Sequence, residues 1–163
     1  MRIRRLFISA AAVTFLSLRL QAAVTVSYGD PDGFTDAGDR NNDPRKIMLT
    51  LEQRLKELGN RYLPPHSNLT IEVHDLDRAG RPYMNLPTEI RVVSGKADMP
   101  CVDLSYTLES DGKVLQSRRE RVCDREYLRP LEPKYSEHDP LVYEKRMLEE
   151  WFRERFVKAA LPR

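Results

Sequence analysis

The chain has 163 residues, with 27 lysines and arginines against 25 aspartates and glutamates, a formal net charge of +2. Hydrophobic residues make up 40 % of it, enough for one modest core. This near balance of charges argues against a nucleic-acid-binding protein, which needs a basic stripe to contact phosphates.

The amino terminus has the layout of a secretory signal peptide. Its first residues carry positive charge, contributed by Arg2, Arg4 and Arg5. The thirteen residues from Leu6 to Leu18 carry no charge. This run is shorter than the ~20 apolar residues that cross a membrane as a helix, so we expect no permanent membrane anchor. We place the cleavage after Ala22, with Ala23 as the next choice.

Cleavage changes the charge balance of the chain. Residues 1–22 contain four arginines and no acidic residue, so 27 basic and 25 acidic residues become 23 and 25, a net charge of −2. We expect residues 23–163 to form a single soluble domain that is periplasmic or secreted and does not bind nucleic acid.

The first two predicted elements are a strand and a helix. Val24 to Tyr28 alternates apolar and polar residues, which is typical of a strand. Asp43 before Pro44 indicates a helix start, because the carboxylate caps free backbone N–H groups and proline needs no donor there. From Pro44 to about Arg61, apolar residues recur every three or four positions, at Ile47, Leu51, Leu55, Leu58 and Tyr62.

The middle of the chain predicts strands. Leu69 to Asp75 alternates and predicts a strand with one buried face, and Glu89 to Val93 predicts a further short strand. Val102 to Leu108 also alternates, Ser110 to Gly112 forms a turn, and Lys113 to Val122 returns as a β-hairpin. Three intervening stretches are predicted as surface loops, at Gly29–Asp43, Arg78–Pro87 and Pro130–Pro140.

The last element is predicted to be a helix opened by His138, Asp139 and Pro140. Its apolar face comprises Leu141, Leu148, Trp151, Phe152 and Phe156. Its solvent face is predicted to comprise Glu144, Lys145, Glu149 and Glu150. The order β-α-β-(β)-β-β-α predicts an α+β fold, with a largely antiparallel sheet of four to five strands and two main helices on one face.

The two cysteines flank the hairpin almost symmetrically. Cys101 and Cys123 are centred on Gly112, and one bulge or a longer loop would place them opposite each other. We therefore expect a disulfide between them. A redox-active pair is disfavoured, because the cysteines lack the short spacing that lowers a thiol pKa.

An acidic first loop raises the question of metal binding. Asp30 and Asp32 resemble part of a calcium loop, but the remaining ligands do not follow at the required spacing. Asp is also common in ordinary turns, where it accepts backbone hydrogen bonds. Both interpretations stay open. The three histidines are isolated in sequence, and no activated nucleophile is evident.

Several segments together resemble a family of exported bacterial proteins designated domain of unknown function 3016, from about Val24 to Phe152. The segments are Asp75 to Gly80, Leu104 to Leu108 before Asp111-Gly112, Asp124 to Leu128, and Tyr143 to Lys145 leading to Trp151-Phe152. The resemblance implies signal-directed export and a compact domain. It supplies no activity, cofactor or catalytic residue, and it implies that the cysteine pair is a local addition.

Two classes of function are compatible with these features. We expect a non-catalytic binding or accessory module of the cell envelope, without a cofactor, that holds an envelope protein or ligand at a sheet edge or beside the last helix. Its candidate ligand contacts are Asp75, Asp77, Tyr143 and Lys145. The alternative is a metal-assisted hydrolase or calcium-binding protein built on Asp30 and Asp32 together with Asp75 and Asp77.

Overall fold

The computed structural model of the chain describes residues 21–38, 43–83, 90–136 and 138–158. The predicted signal peptide lies almost wholly outside these residues. The strands are β1 (Ala23–Tyr28), β2 (Ser67–Asp77), β3 (Arg81–Tyr83), β4 (Ile90–Val92), β5 (Cys101–Ser110) and β6 (Lys113–Cys123). The helices are α1 (Pro44–Tyr62) and α2 (Val142–Phe152), and a wider helical turn, Arg153–Val157, continues α2.

The main sheet has four strands in the order β1-β2-β5-β6. The α+β class is confirmed, but the sheet is mixed, because β1 and β2 are parallel while the other two pairs are antiparallel. Helix α1 connects β1 to β2, and a crossover of this length is what joins parallel neighbours. The predicted order already begins with β-α-β, the unit that joins two parallel strands. The prediction of a largely antiparallel sheet holds for two of the three strand pairs, but it did not include the parallel pair.

The predicted strand Glu89 to Val93 forms as β4, but it does not join the main sheet. It pairs with β3 in a separate two-stranded ribbon, and β3 lies inside a stretch that we predicted to be loop. Gly80 precedes the ribbon with φ of +73°, and a Cβ there would lie 2.7 Å from the carbonyl oxygen of Val92. Only glycine fits this approach without a shift of the backbone.

Both helices pack on one face of the main sheet. Alternate residues of β2 and β5 are buried there, including Ile71 and Leu104, neither of which is exposed. The same cluster contains Leu55 of α1 and Phe152 of α2. Helix α1 begins as predicted, with Asp43 Oδ1 accepting a hydrogen bond 2.9 Å long from the backbone N–H of Arg45.

Helix α2 differs from its prediction in two ways. Its regular turns begin at Val142 rather than at His138, because Asp139 accepts from the backbone of Leu141 and Val142 in a preceding turn. In addition, Glu144 and Glu149 are 1 % and 2 % exposed, although we expected them to face solvent. Helix α2 is therefore enclosed on more sides than its apolar stripe indicates.

The hairpin of β5 and β6 places the cysteines opposite each other. Its turn consists of Asp111 and Gly112, which both have positive φ, so it is tighter than the predicted three-residue loop. A register shift after Leu108 then aligns Cys101 with Cys123, whose Cα atoms lie 4.2 Å apart in a disulfide. This register shift is the one bulge that we expected from the positions of the two cysteines around the turn.

The sheet face away from the helices carries polar side chains, including Thr70, Thr107 and Ser117 in one cross-strand row. Such a face is normal for a sheet covered on one side. Across the described residues, no helix combines the length and apolar character required to cross a membrane.

Candidate functional site

The buried carboxylate of Glu149, on α2, accepts hydrogen bonds from four side chains. Its Oε2 accepts from Arg54 Nη2 at 2.5 Å and from the Tyr135 hydroxyl at 2.6 Å. Its Oε1 accepts from the Tyr62 hydroxyl and from Lys134 Nζ, both at 3.0 Å. Side chains from α1, α2 and the segment before α2 therefore meet at one carboxylate.

These contacts shift the pKa values of the groups involved. Burial opposes ionisation of Glu149, but the hydrogen bonds from Tyr135, Lys134 and Tyr62 outweigh it and lower its pKa to about 2. Burial and the hydrogen bond to Glu149 raise the pKa of Tyr135 to about 12. Burial works against the charge of Lys134, yet its bonds to Glu149 and Glu132 raise its pKa. All three groups hold their ordinary charge at neutral pH.

A pocket of about 350 Å³ opens beside this cluster, and we call it the inter-helix pocket. Its lining consists of Thr50, Gln53, Arg54, Glu57 and Arg61 of α1, Lys134, Tyr135, Ser136 and Asp139 of the segment before α2, and Lys145 of α2. Arg61 Nη1 lies 3.7 Å from Glu149 Oε1, and the Arg61 side chain is 56 % exposed. The pocket thus presents cationic and hydroxyl groups that are already oriented by one buried carboxylate.

Two of the predicted ligand contacts lie near this pocket. Lys145 lines it, where its Nζ bonds Asp139 Oδ2 at 2.6 Å. Tyr143 lines a neighbouring pocket of about 510 Å³ that shares Asp139 as a wall. The Tyr143 ring packs edge-on against Tyr127, with centroids 5.2 Å apart. The structure therefore places Lys145 and Tyr143 in adjoining pockets rather than in one.

The other two candidates, Asp75 and Asp77, line neither of these pockets. Asp75 secures the first loop, because its carboxylate accepts from the backbone N–H and hydroxyl of Thr35 at 2.7 and 2.8 Å. Burial opposes this charge, and the bonds from Thr35 lower the pKa of Asp75. Burial, with the nearby Asp36 and Asp75, raises the pKa of Asp77. Asp75 is thus engaged in holding the fold.

The rest of the segment Asp75 to Gly80, one of those that carry the family resemblance, also forms structural contacts. Asp36 forms one ion pair with Arg78 and another with Arg91. Arg91 also donates to the carbonyl oxygens of Ala79 and Gly80, the latter at 2.7 Å. This arrangement joins the first loop to the β3–β4 ribbon.

The proposed metal ligands Asp30 and Asp32 are exposed, and Asp30 Oδ1 accepts from the backbone N–H of Asp32 at 3.2 Å. Within the described ranges, no group of three or more His, Cys, Asp or Glu side chains could hold a metal ion. His74 is next to Asp75 in sequence, but its side chain contacts the Ser105 hydroxyl, at 2.9 Å.

Sequence reasoning missed the residues around Glu149. Arg54 lies three residues after Leu51 and four before Leu58, so helical spacing places it at the margin of the buried face of α1. Glu149 has the same relation to the apolar face of α2, directly after Leu148. A charged residue at the margin of the buried face on each of two helices indicates a partly buried ion pair. The spacing identifies neither the partner residue nor the pocket.

The family model described as "Protein of unknown function (DUF3016)" matches residues 22–154 of the chain. No curated protein and no solved structure gave a match. The matched range covers both helices and the whole main sheet. The chain therefore belongs to the DUF3016 family of proteins of unknown function.

Proposed function

We propose that this chain is an exported, non-catalytic binding or accessory module of the bacterial cell envelope, and that its ligand occupies the inter-helix pocket. In this proposal residues 1–22 are a signal peptide, and residues 23–163 form one domain. The alternative use of the aspartates in metal-assisted hydrolysis has less support, since Asp75 is bonded to Thr35.

The observation that carries the binding role is that the buried carboxylate of Glu149 holds Arg54, Lys134 and Tyr135 at the edge of the pocket. General acids and bases work best when their pKa lies near the operating pH. Here the pKa of Glu149 is about 2 and that of Tyr135 about 12, so neither exchanges a proton readily at neutral pH. The fixed charge of Glu149 instead holds Arg54 and Lys134 in place, which favours binding over chemistry.

The disulfide between Cys101 and Cys123 supports export, because disulfides persist in oxidising compartments such as the periplasm. The test is fractionation of cells that express the full chain, followed by mass spectrometry of its amino terminus. We expect the protein in the periplasmic fraction, starting at Ala23 or Val24. Full-length protein in the cytosol, still beginning at Met1, would contradict export.

The binding role is tested by nuclear magnetic resonance of the labelled protein, titrated with the low-molecular-weight fraction of a periplasmic extract. We expect chemical shift changes at Thr50, Gln53 and Ser136, which line the pocket. Thr70 and Thr107 lie on the opposite sheet face and should not respond. The absence of any change, or changes confined to that face, would refute binding in the pocket.

A further inference from the structure

We infer that the inter-helix pocket recognises a small hydrophilic molecule through a dianionic group, either a phosphate monoester or a pair of carboxylates. This inference rests on the proposed binding role and adds the chemical class of the ligand. It follows from the charges, the exposure and the size of the pocket.

Three cations surround the single carboxylate of Glu149. Arg54, Arg61 and Lys134 all lie within 4.0 Å of its carboxylate, the ion-pair limit, so three positive charges meet one buried negative charge. Glu149 compensates one of these three charges. Lys145, at another wall of the pocket, is paired with Asp139.

Two further carboxylates contact these cations, but both are exposed. Glu57 lies 3.2 Å from Arg54 and its side chain is 64 % exposed, while Glu132 lies 3.2 Å from Lys134 and is 59 % exposed. Ion pairs at exposed sites contribute little, because water screens them and long side chains lose freedom. A dianionic ligand could therefore displace Glu57 and Glu132 and take their place beside the three cations.

The rest of the lining suits a polar ligand. Thr50 donates its hydroxyl to the carbonyl oxygen of Lys46 at 2.7 Å, which leaves the oxygen lone pairs as acceptors, and Gln53 and Ser136 add an amide and a hydroxyl. Tyr135 is the one aromatic residue among the lining residues. The volume of about 350 Å³ lies at the small end of the usual range for small-molecule sites.

The test is isothermal titration calorimetry at constant ionic strength and slightly alkaline pH, with inorganic phosphate, succinate and acetate as probes. We expect at least one dianion to bind, and the monoanion acetate to bind at least about tenfold more weakly. Tighter binding of phosphate would assign a phosphate ligand, and tighter binding of succinate would assign a dicarboxylate. If neither dianion binds more tightly than acetate, the inference is overturned.

Variants show whether the binding occurs in the pocket. Arg61→Gln and Lys134→Gln each remove one partly exposed charge, and we expect each to weaken dianion binding about tenfold, as for one charge-assisted hydrogen bond. The matched control is Lys56→Gln, since Lys56 lies on α1 but outside the pocket, paired with Glu52. Melting curves verify that all three variants fold. Equal losses in the control and in Arg61→Gln would also overturn the inference.

The two proposals fail in different ways. If the periplasmic extract shifts the resonances of Thr50, Gln53 and Ser136 but phosphate and succinate do not bind, the ligand class is wrong and the binding role stands. If the extract also has no effect, the binding role itself is refuted.

Discussion

Glu144 and Glu149 lie five residues apart on α2, both are buried, and their pKa values shift in opposite directions. Glu149 accepts four side-chain hydrogen bonds, which stabilise its charge. Glu144 Oε1 accepts one bond from the backbone N–H of Ala79 at 2.7 Å. Burial dominates there, so the pKa of Glu144 is raised. Glu144 is the more deeply buried of the two and Glu149 has more donors, and both differences separate their pKa values.

We predict that Glu149 stabilises the protein at neutral pH and loses this effect in acid. Its pKa is about 4.5 when unfolded and about 2 when folded, so its contribution is complete above pH 4.5 and is lost as the pH falls toward 2. Glu149→Gln should lower the free energy of unfolding by about 3 kcal/mol at pH 7, since Arg54 and Lys134 lose their buried partner. Urea denaturation at several pH values measures both effects.

The matched control for this prediction is Glu150→Gln. Glu150 is the next residue, and it pairs with Arg129 at a partly exposed site. Its substitution should change the free energy of unfolding by less than about 1 kcal/mol. Equal effects at both positions would show that Glu149 has no special role.

Glu144 should show the opposite dependence on pH. Because folding raises its pKa above 4.5, its protonated form stabilises the protein below pH 4.5, and this contribution is lost as the pH rises through the folded pKa. Glu144→Gln keeps an acceptor for Ala79 and should remain within about 1 kcal/mol of the natural protein at pH 7. Glu144→Leu should cost about 1–3 kcal/mol, because the Ala79 N–H loses its partner. Equal unfolding energies for the two variants would contradict this role.

The disulfide should stabilise the protein by closing the hairpin in the unfolded chain. Its cysteines are 22 residues apart in sequence, which corresponds to about 3 kcal/mol in the chain-entropy model. The double variant Cys101→Ala/Cys123→Ala should therefore unfold at a lower urea concentration. A reductant should destabilise the natural protein and leave the variant unchanged. Two free thiols in the unreduced, unfolded natural protein would refute the bond.

Gly59 should tolerate no side chain. It is buried on α1, and a Cβ there would overlap Cγ2 of Val24 on β1. Gly59→Ala should destabilise the protein by about 1–3 kcal/mol, despite the higher helix propensity of alanine. Val24→Ala in the same chain should recover part of the loss by removing the clash. Gly33→Ala, where no atom lies within 4 Å of the added Cβ, provides the control for unfolding measurements.

Divalent cations should not stabilise the protein. A metal bound to the native state would raise its melting midpoint. The carboxylate of Asp30 already accepts a backbone hydrogen bond, and Asp32 is exposed beside it. We expect equal midpoints with and without Ca²⁺, Mg²⁺ or Zn²⁺ at millimolar excess. A rise with one ion that Asp30→Asn removes would restore the metal-binding alternative.

The sequence by itself determined most of the local elements and the hairpin. Capping by Asp43, the apolar spacing on α1 and the alternation in β2 and β5 depend on neighbours in the chain, so each could be predicted from its own segment. The symmetry of Cys101 and Cys123 likewise follows from positions around one turn.

Only the tertiary structure decided how these elements combine. The parallel pairing of β1 with β2, the separate β3–β4 ribbon and the burial of Glu144 and Glu149 depend on residues far apart in sequence. Arg54 and Glu149 are 95 residues apart and meet only because α1 and α2 pack on the same sheet face. A charged residue becomes a buried anchor when distant donors surround it, and local spacing carries no information about those donors.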